Sequence, residues 1–234
     1  MIANDKKLYK EEKDRTKIKA ETVIIMDSNR QYIDPNKFWN GHSVKKIKAG
    51  NIKEASEITM QYEFHDTKYF IIHVGTNDTE TSSNATEISK GIINVAKDLK
   101  RKYFNAMIFV SQVPPRNDAR NWICQNVNNL LKNSLPESLQ LIDNSNMSID
   151  MLYDKKHIAK EDIGRLVYNM KKAIRNSINE RYNEKQDNGY NTKHYKDKAI
   201  NYEKSSRINI DKYKFLQMVD TMKEMMSEKR YFNG

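Results

Sequence analysis

The stretch TVIIMDSN, residues 22–29, places an almost entirely apolar run directly before an acid, a serine and an asparagine. Such a run is typical of a strand that is buried on both faces of a parallel sheet. The stretch YFIIHVGTND, residues 69–78, has the same organisation, because polar residues again follow an apolar run. The carboxyl ends of parallel strands meet at one edge of the sheet, where such sheets bind ligands. The two stretches therefore predict a cluster of polar side chains, among them Ser28 and Asn77, at that edge.

Apolar runs and helix-like segments alternate through most of the chain. Further strand-length runs lie at residues 42–49, 106–113 and 139–142, and helix-like segments lie at about 52–63, 85–103, 118–133 and 161–181. Strands separated by helices indicate a parallel sheet with helices on both faces. We therefore predict an α/β fold, a three-layer α/β/α domain with about five parallel strands.

The length and composition limit the domain organisation. The chain has 234 residues, of which 31% are charged and 38% hydrophobic, which suits one core-forming domain with very polar segments. We predict a polar basic N-terminal tail at residues 1–20, the α/β domain at 21–182, a polar linker at 183–209 and an amphipathic helix at 210–234. Apolar residues recur at helical spacing in the last segment, which indicates a helix that docks on the domain, associates with itself or binds another protein.

Three features of the sequence bear on where the protein resides. No apolar run approaches the length of a membrane span, and the N-terminus lacks the continuous apolar stretch of a secretory signal. Cys124 is the only cysteine, which excludes an intrachain disulfide. These features predict an intracellular, cytoplasmic protein without a transmembrane segment.

The net charge of +10 is spread along the chain rather than concentrated in one segment. Residues 1–20 hold seven basic and four acidic residues, and residues 180–234 hold twelve and nine. Because acids lie between most of the basic residues, the pattern favours an ordinary solvated surface over a dedicated nucleic-acid face. Weak nucleic-acid contact through the basic tails is the alternative.

Four short motifs, in order along the chain, resemble those of the SGNH hydrolase family, also called GDSL-type esterases and lipases. They are Met26-Asp27-Ser28-Asn29, the glycine Gly50, Gly75-Thr76-Asn77-Asp78 and Asp154-Lys155-Lys156-His157. The resemblance covers about residues 20–180. The stretches DSNR, IIHVGTND, SQVPPRND and DKKHIAKEDIGRL are more narrowly similar to SGNH-type domains of animal retroelement-encoded proteins. One position departs from the family pattern, because Met26 stands where glycine is usual.

The resemblance implies a flavodoxin-like SGNH hydrolase fold and a serine esterase that hydrolyses small acyl- or acetyl-ester substrates without a cofactor. It assigns a catalytic triad to Ser28, Asp154 and His157, and an oxyanion hole to Ser28, Gly50 and Asn77. The residue types suit this chemistry, because a serine is a poor nucleophile until a base takes its proton. An acid beside the histidine can hold the imidazole in one tautomer. No cluster of histidines, cysteines and acids has metal-ligand spacing, so no metal site is predicted.

Each of these residues also has a purely structural interpretation. Ser28 suits a strand-to-helix turn, Gly50 and Asn77 suit ordinary turns, and His157 suits the start of the following helix. Met26 gives a further reason to consider an inactive site, because a side chain there shifts the serine if the backbone needs glycine. The alternative to an enzyme is therefore a catalytically silent SGNH-like interaction module, for example in a retroelement ribonucleoprotein.

Two further features lie beside these motifs. His73, inside an apolar run, is predicted to be a core histidine whose hydrogen bonds are made. Arg116 and Asp118, in the stretch VPPRND, are predicted to form either a rim of the site or a structural turn.

Overall fold

Seven β-strands form the framework of the described part of the chain. The computed structural model describes residues 15–187, and the side chains of residues 15–180. The strands are β1 (Thr16–Lys19), β2 (Thr22–Met26), β3 (Val44–Lys48), β4 (Tyr62–His65), β5 (Tyr69–His73), β6 (Met107–Ser111) and β7 (Gln140–Ile142). They belong to a unit that spans residues 1–181, and residues 182–234 form a second unit.

Five of these strands form one parallel sheet in the order β3-β2-β5-β6-β7. The strands β2 and β6 are buried at every position, as expected for apolar runs covered on both faces. The chain passes from β2 to β3 on one side of β2 and later returns to β5 on its other side. Ligands of open parallel sheets bind at such a reversal, outside the carboxyl ends of the strands. The end of β2 is therefore the expected position of a site.

Helices cover both faces of this sheet. They are α1 (Pro35–Phe38), α2 (Ile52–Gln61), α3 (Asp78–Thr81), α4 (Ala85–Lys102), α5 (Asn121–Ser134) and α6 (Ile163–Asp187), with 3₁₀ turns at Ser28–Tyr32 and Ile149–Met151. Successive strand residues point to opposite faces. Ile25 accordingly packs in a core with α2, α4 and α5, whereas Ile24 and Met26 pack in a core with α6. The predicted three-layer α/β/α fold with five parallel strands is confirmed.

A second parallel sheet of two strands was not predicted. It pairs β1 with β4 along four residues of each strand. The beginning of β4 was predicted to lie at the end of a helix. In the sequence YEFH of β4, however, the aromatic residues Tyr62 and Phe64 alternate with polar residues, as in a strand, and Phe64 packs edge-on against Phe70. Residues 16–19, predicted to lie in the N-terminal tail at 1–20, form β1 and are part of the fold.

The C-terminal boundary of the domain differs slightly from the prediction. The helix α6 continues to Asp187, so the first residues of the linker predicted at 183–209 are helical. The rest of that linker, the amphipathic helix at 210–234 with its self-association, and residues 1–14 of the basic tail lie outside the described residues. Nucleic-acid contact through the tails therefore stays a prediction. Within residues 15–187, no helix is both long enough and apolar enough to cross a membrane.

Candidate active site

The strand β2 ends in a turn that presents Ser28 at the carboxyl edge of the sheet. The carboxylate of Asp27 accepts a hydrogen bond of 3.0 Å from the backbone N–H of Asn29, which caps the 3₁₀ turn at Ser28–Tyr32. Asp27 and Asn29 are each 2% exposed, whereas Ser28 between them is half-buried. The turn therefore buries the two polar neighbours and leaves the serine as the reachable group.

The histidine loop, residues 152–158, holds an acid and a histidine in direct contact. His157 Nδ1 lies 2.6 Å from Asp154 Oδ2, and Asp154 Oδ1 accepts the backbone N–H groups of Lys156 and His157 at 2.8 and 2.7 Å. Burial by itself raises the pKa of Asp154, but these hydrogen bonds, that of the His157 ring foremost, outweigh it and hold the pKa at about 2. Asp154 is therefore an acceptor at neutral pH. The proton of a neutral imidazole then lies on Nδ1, which leaves Nε2 as the basic nitrogen.

One hydrogen bond joins the histidine loop to the serine turn. Ile158 donates its backbone N–H to Asn29 Oδ1 at 3.0 Å, so the residue after His157 is bonded to the residue after Ser28. Within the histidine loop, the Tyr153 ring stacks on the His157 ring, with centroids 5.6 Å apart and planes 14° apart. Among the described residues, no hydrogen bond joins Ser28 Oγ to His157. The structure thus pairs the predicted acid and base and holds the serine turn beside them.

Asn77 joins the second motif to the histidine loop. Its Nδ2 donates to the Gly50 carbonyl at 2.7 Å, and its Oδ1 accepts from Lys156 Nζ at 2.8 Å. An ammonium only donates and a carbonyl only accepts, so these two contacts determine which amide atom is oxygen and which is nitrogen. One hydrogen on Nδ2 remains for a further acceptor. The predicted oxyanion donor therefore has a defined orientation.

The backbone N–H of Gly50, also predicted to donate in the oxyanion hole, already has an acceptor. It donates at 2.7 Å to Oε2 of Glu54, an exposed residue in the first turn of α2. Ile52 N–H donates nearby to both carboxylate oxygens of Asp78, at 3.2 and 3.3 Å, and burial raises the pKa of Asp78. Two acids therefore cap the N-terminus of α2. A substrate oxygen has to displace Glu54 before it can use the Gly50 N–H.

Arg116 holds the loop that carries Asn77. Its side chain is 2% exposed, its Nη1 donates to the Thr76 carbonyl at 3.2 Å, and its Nη2 lies 3.4 Å from Glu80 Oε1. The carboxylate of Asp118 pairs with the same guanidinium, and this hydrogen bond lowers the pKa of Asp118 to about 2. Of the two interpretations from the sequence, these contacts favour the structural turn, because the guanidinium is buried among protein acceptors.

Met26 occupies the usual glycine position without backbone strain. It is the last residue of β2, it is 0% exposed, and its φ is not positive, so the backbone there does not require glycine. Gly75, in contrast, has a φ of +121°, and a Cβ there would lie 3.0 Å from Ile92 and 3.1 Å from Val113. Methionine therefore fills the core beneath the serine turn, whereas glycine is required where β5 leads into the Asn77 loop.

Two buried groups near the site take no part in the predicted chemistry. His73 Nδ1 lies 2.8 Å from Ser111 Oγ, but its Nε2 has no partner in the described part of the chain, so the expected pair of hydrogen bonds is only half made. Burial lowers the pKa of His73, although the charge of Asp27 acts in the opposite direction. Burial also raises the pKa of the Cys124 thiol to about 11, which makes it a poor nucleophile.

Within residues 15–187, no group of three or more histidines, cysteines and acids is placed so that it could hold a metal ion.

The contacts between the motifs were missed by the sequence analysis. The role of Glu54 at the start of α2 could have been predicted, because it lies three residues after the helix cap Asn51, which is the spacing of a capping box. The role of Lys156 could not, because its contact with Asn77 spans 79 residues. Asn29 was assigned to the serine turn, and its bond to the histidine loop followed only from the fold.

Comparisons with known proteins show the fold of the chain. No family model matches the sequence, and no curated protein matches it. Among solved structures, a candidate platelet activating factor from Streptococcus pneumonia superimposes with a TM-score of 0.57 at 15% identity, over 73% of this chain and 95% of that one. A member of the lipolytic protein G-D-S-L family from Veillonella parvula gives a TM-score of 0.50 at 15% identity, over 65% and 96%. The esterase domain of the ZfL2-1 ORF1 protein from the zebrafish ZfL2-1 retrotransposon is 21% identical over 67% and 99%, with a TM-score of 0.36.

The chain has the fold of the GDSL, or SGNH, lipolytic proteins. The resemblance carried by the four motifs is thereby confirmed at the level of the fold, including the flavodoxin-like parallel sheet. A fold hosts many functions, so the activity has to be argued from the site.

Proposed function

We propose that this protein is a serine esterase that hydrolyses small acyl or acetyl esters. The observation that supports the proposal most directly is that hydrogen bonds of 2.7 to 3.0 Å link the four motifs in pairs: the serine turn with the histidine loop, that loop with Asn77, and Asn77 with Gly50. Residues that lie far apart in the sequence thus meet where β2 ends. A nucleophile, a base with its orienting acid, and donors for a developing negative charge are all supplied by the chain, so the reaction needs no cofactor.

The reaction follows from the roles of these groups. Ser28 Oγ attacks the ester carbonyl carbon while His157 Nε2 takes its proton, and Asp154 stabilises the resulting imidazolium. The carbonyl oxygen becomes an oxyanion that accepts from the Ser28 N–H, the Gly50 N–H and Asn77 Nδ2, each donor being worth about 3 to 4 kcal/mol. The imidazolium then protonates the leaving alcohol, and an acyl ester remains on Ser28. Water, deprotonated by the same imidazole, releases the acid and restores the serine.

Labelling with a fluorophosphonate probe tests the proposal. We expect the wild type to be labelled and to hydrolyse p-nitrophenyl acetate, with no effect of chelators. Ser28→Ala should lose both signals, because the probe reacts only with an activated serine. The matched control is Ser138→Ala, since Ser138 is an exposed serine outside the site. A folded wild type that neither reacts with the probe nor cleaves the ester contradicts the proposal.

A catalytically silent binding module is the second candidate. One observation favours it: the Gly50 N–H, a predicted oxyanion donor, already donates a hydrogen bond to the carboxylate of Glu54. The lack of a hydrogen bond between Ser28 Oγ and His157 in the described part of the chain points the same way, although unliganded active sites are often loose. The labelling experiment separates the two candidates.

A further inference from the structure

We propose that Lys156 is a positioning residue of the oxyanion hole, which orients the Asn77 amide and strengthens it as a donor to the substrate. The inference rests on the proposed esterase function and adds a residue to that site. Lys156 lies between Asp154 and His157 in the sequence, and the four-motif pattern assigns it no role.

The contacts of the Asn77 amide define what Lys156 does. Lys156 Nζ donates to Asn77 Oδ1 at 2.8 Å, and Asn77 Nδ2 donates to the Gly50 carbonyl at 2.7 Å. If the amide rotated by half a turn about its terminal bond, its oxygen would face the Gly50 carbonyl and its nitrogen would face the ammonium, and both contacts would be repulsive. An amide oxygen would also repel an oxyanion instead of binding it. The ammonium, together with the Gly50 carbonyl, therefore holds the one orientation in which Asn77 can act as a donor.

The charge of Lys156 also acts through the amide. A hydrogen bond from a cation to the amide oxygen draws electron density from the nitrogen, which makes the remaining N–H a stronger donor. The side chain of Lys156 is 21% exposed, so this interaction is only partly screened by solvent. Hydrogen bonds preorganised in this way are worth most where negative charge develops during the reaction.

Neighbouring charges hold Lys156 in place. Its Nζ donates to Glu80 Oε1 at 2.9 Å, and this hydrogen bond lowers the pKa of Glu80. The same carboxylate oxygen lies 3.4 Å from Arg116 Nη2. Glu80 thus bridges two cations, and the ammonium is fixed between Glu80 and Asn77. Since Lys156 belongs to the histidine loop, one segment carries the base and orients the oxyanion donor.

Steady-state kinetics of Lys156→Met test this role, with Lys155→Met as the matched control. Lys155 is exposed, and its described contact is made by its backbone carbonyl to the Asn117 N–H. With p-nitrophenyl acetate, we expect Lys156→Met to lower kcat about tenfold with KM little changed. The reason is that the Asn77 amide then stabilises the oxyanion in the transition state less well. Lys155→Met should match the wild type. Lys156→Gln, which is also uncharged, serves as the second variant if the methionine variant is insoluble.

A double-mutant cycle with Asn77→Ala separates positioning from a merely structural role. If Lys156 acts through Asn77, then Lys156→Met should change kcat by less than about twofold in the Asn77→Ala background. An undiminished tenfold loss in that background overturns the proposal, and so does wild-type kcat in Lys156→Met.

The side-chain amide resonances of Asn77 in ¹⁵N spectra give a readout that does not depend on hydrolysis. Assigned through Asn77→Ala, they should shift in Lys156→Met and stay in place in Lys155→Met. An inactive wild type would refute the esterase proposal alone, whereas unshifted Asn77 resonances in Lys156→Met would refute the role of Lys156.

Discussion

Asn29 Oδ1 accepts a hydrogen bond of 3.0 Å from the backbone N–H of Ile158, a residue 129 positions further along the chain. Asn29 is 2% exposed, and its own N–H is bonded to Asp27. The contact ties the turn after β2 to the histidine loop. The relative position of Ser28 and His157 therefore depends in part on a buried side chain that is neither the acid nor the base.

Asn29→Ala should lower both stability and activity. The substitution leaves the buried Ile158 N–H without its acceptor, which costs about 1 to 3 kcal/mol of unfolding free energy. Because the histidine loop then loses its hydrogen bond to the serine turn, we expect kcat to fall more than the folded fraction does. Urea unfolding and ester hydrolysis measure the two effects. Asn126→Ala, on the exposed face of α5, is the control and should change neither.

Asp154→Asn should lower the rate severely without removing an inflection from the pH–rate profile between pH 4 and 8. Asp154, with a pKa of about 2, is ionised throughout the range in which an esterase is assayed, so it adds no inflection there. In Asp154→Asn the amide no longer favours the required tautomer of His157. An inflection between pH 4 and 8 that is present in the wild-type pH–rate profile and lost in Asp154→Asn would contradict the assignment of the ionised acid.

Glu54→Gln should raise kcat/KM several-fold. The carboxylate of Glu54 accepts the Gly50 N–H, so a substrate oxyanion competes with an anion for that donor. A neutral amide competes less and does not repel the developing charge. Glu57→Gln removes one acid from the same helix and should leave the rate unchanged. An equal or lower rate in Glu54→Gln, at unchanged stability, would mean that Gly50 does not serve the oxyanion.

Met26→Gly should destabilise the protein without improving catalysis. Met26 is fully buried in the core beside α6, and its backbone does not need glycine. Removing its side chain leaves a cavity, and losing a buried methionine side chain costs about 2 to 5 kcal/mol. Urea midpoints measure the loss of stability. A glycine variant with higher kcat per folded molecule would show instead that methionine displaces the serine.

His73 should make the protein less stable as the pH falls below about 6.5. Burial lowers the pKa of His73 in the folded state from its ordinary value of 6.5, so the unfolded chain binds the proton first. The contribution of neutral His73 to the free energy of unfolding is complete above the unfolded-state pKa. It is lost progressively as the pH falls toward the lower folded-state pKa. Urea midpoints between pH 8 and 5 measure this slope. His73→Gln should flatten it, whereas substitution of the exposed His65 should not.

Much of the fold was predictable because its signals are local. The strands β2 and β6 are continuous apolar runs, and the pairing of Asp154 with His157 needs only a turn of three residues. Because polar residues follow the ends of predicted parallel strands, the motifs could then be placed at one edge of the sheet. By contrast, β1 and β4 are short, and their pairing across 46 residues was not visible in either segment alone.

The sequence by itself determined the α/β class, and it predicted the carboxyl edge of the sheet as the place of the candidate site and the polar residues that form it. Only the tertiary structure decided how those residues are held: Asn29 by Ile158, Asn77 by Lys156, and the Gly50 N–H by Glu54. The class and the edge follow from periodicity within short windows of residues, whereas the candidate site residues were assigned by their resemblance to four family motifs. The contacts of Asn29 and Asn77 join loops that only the strand order β3-β2-β5-β6-β7 brings together, and a hydrogen bond between loops leaves no pattern in either loop.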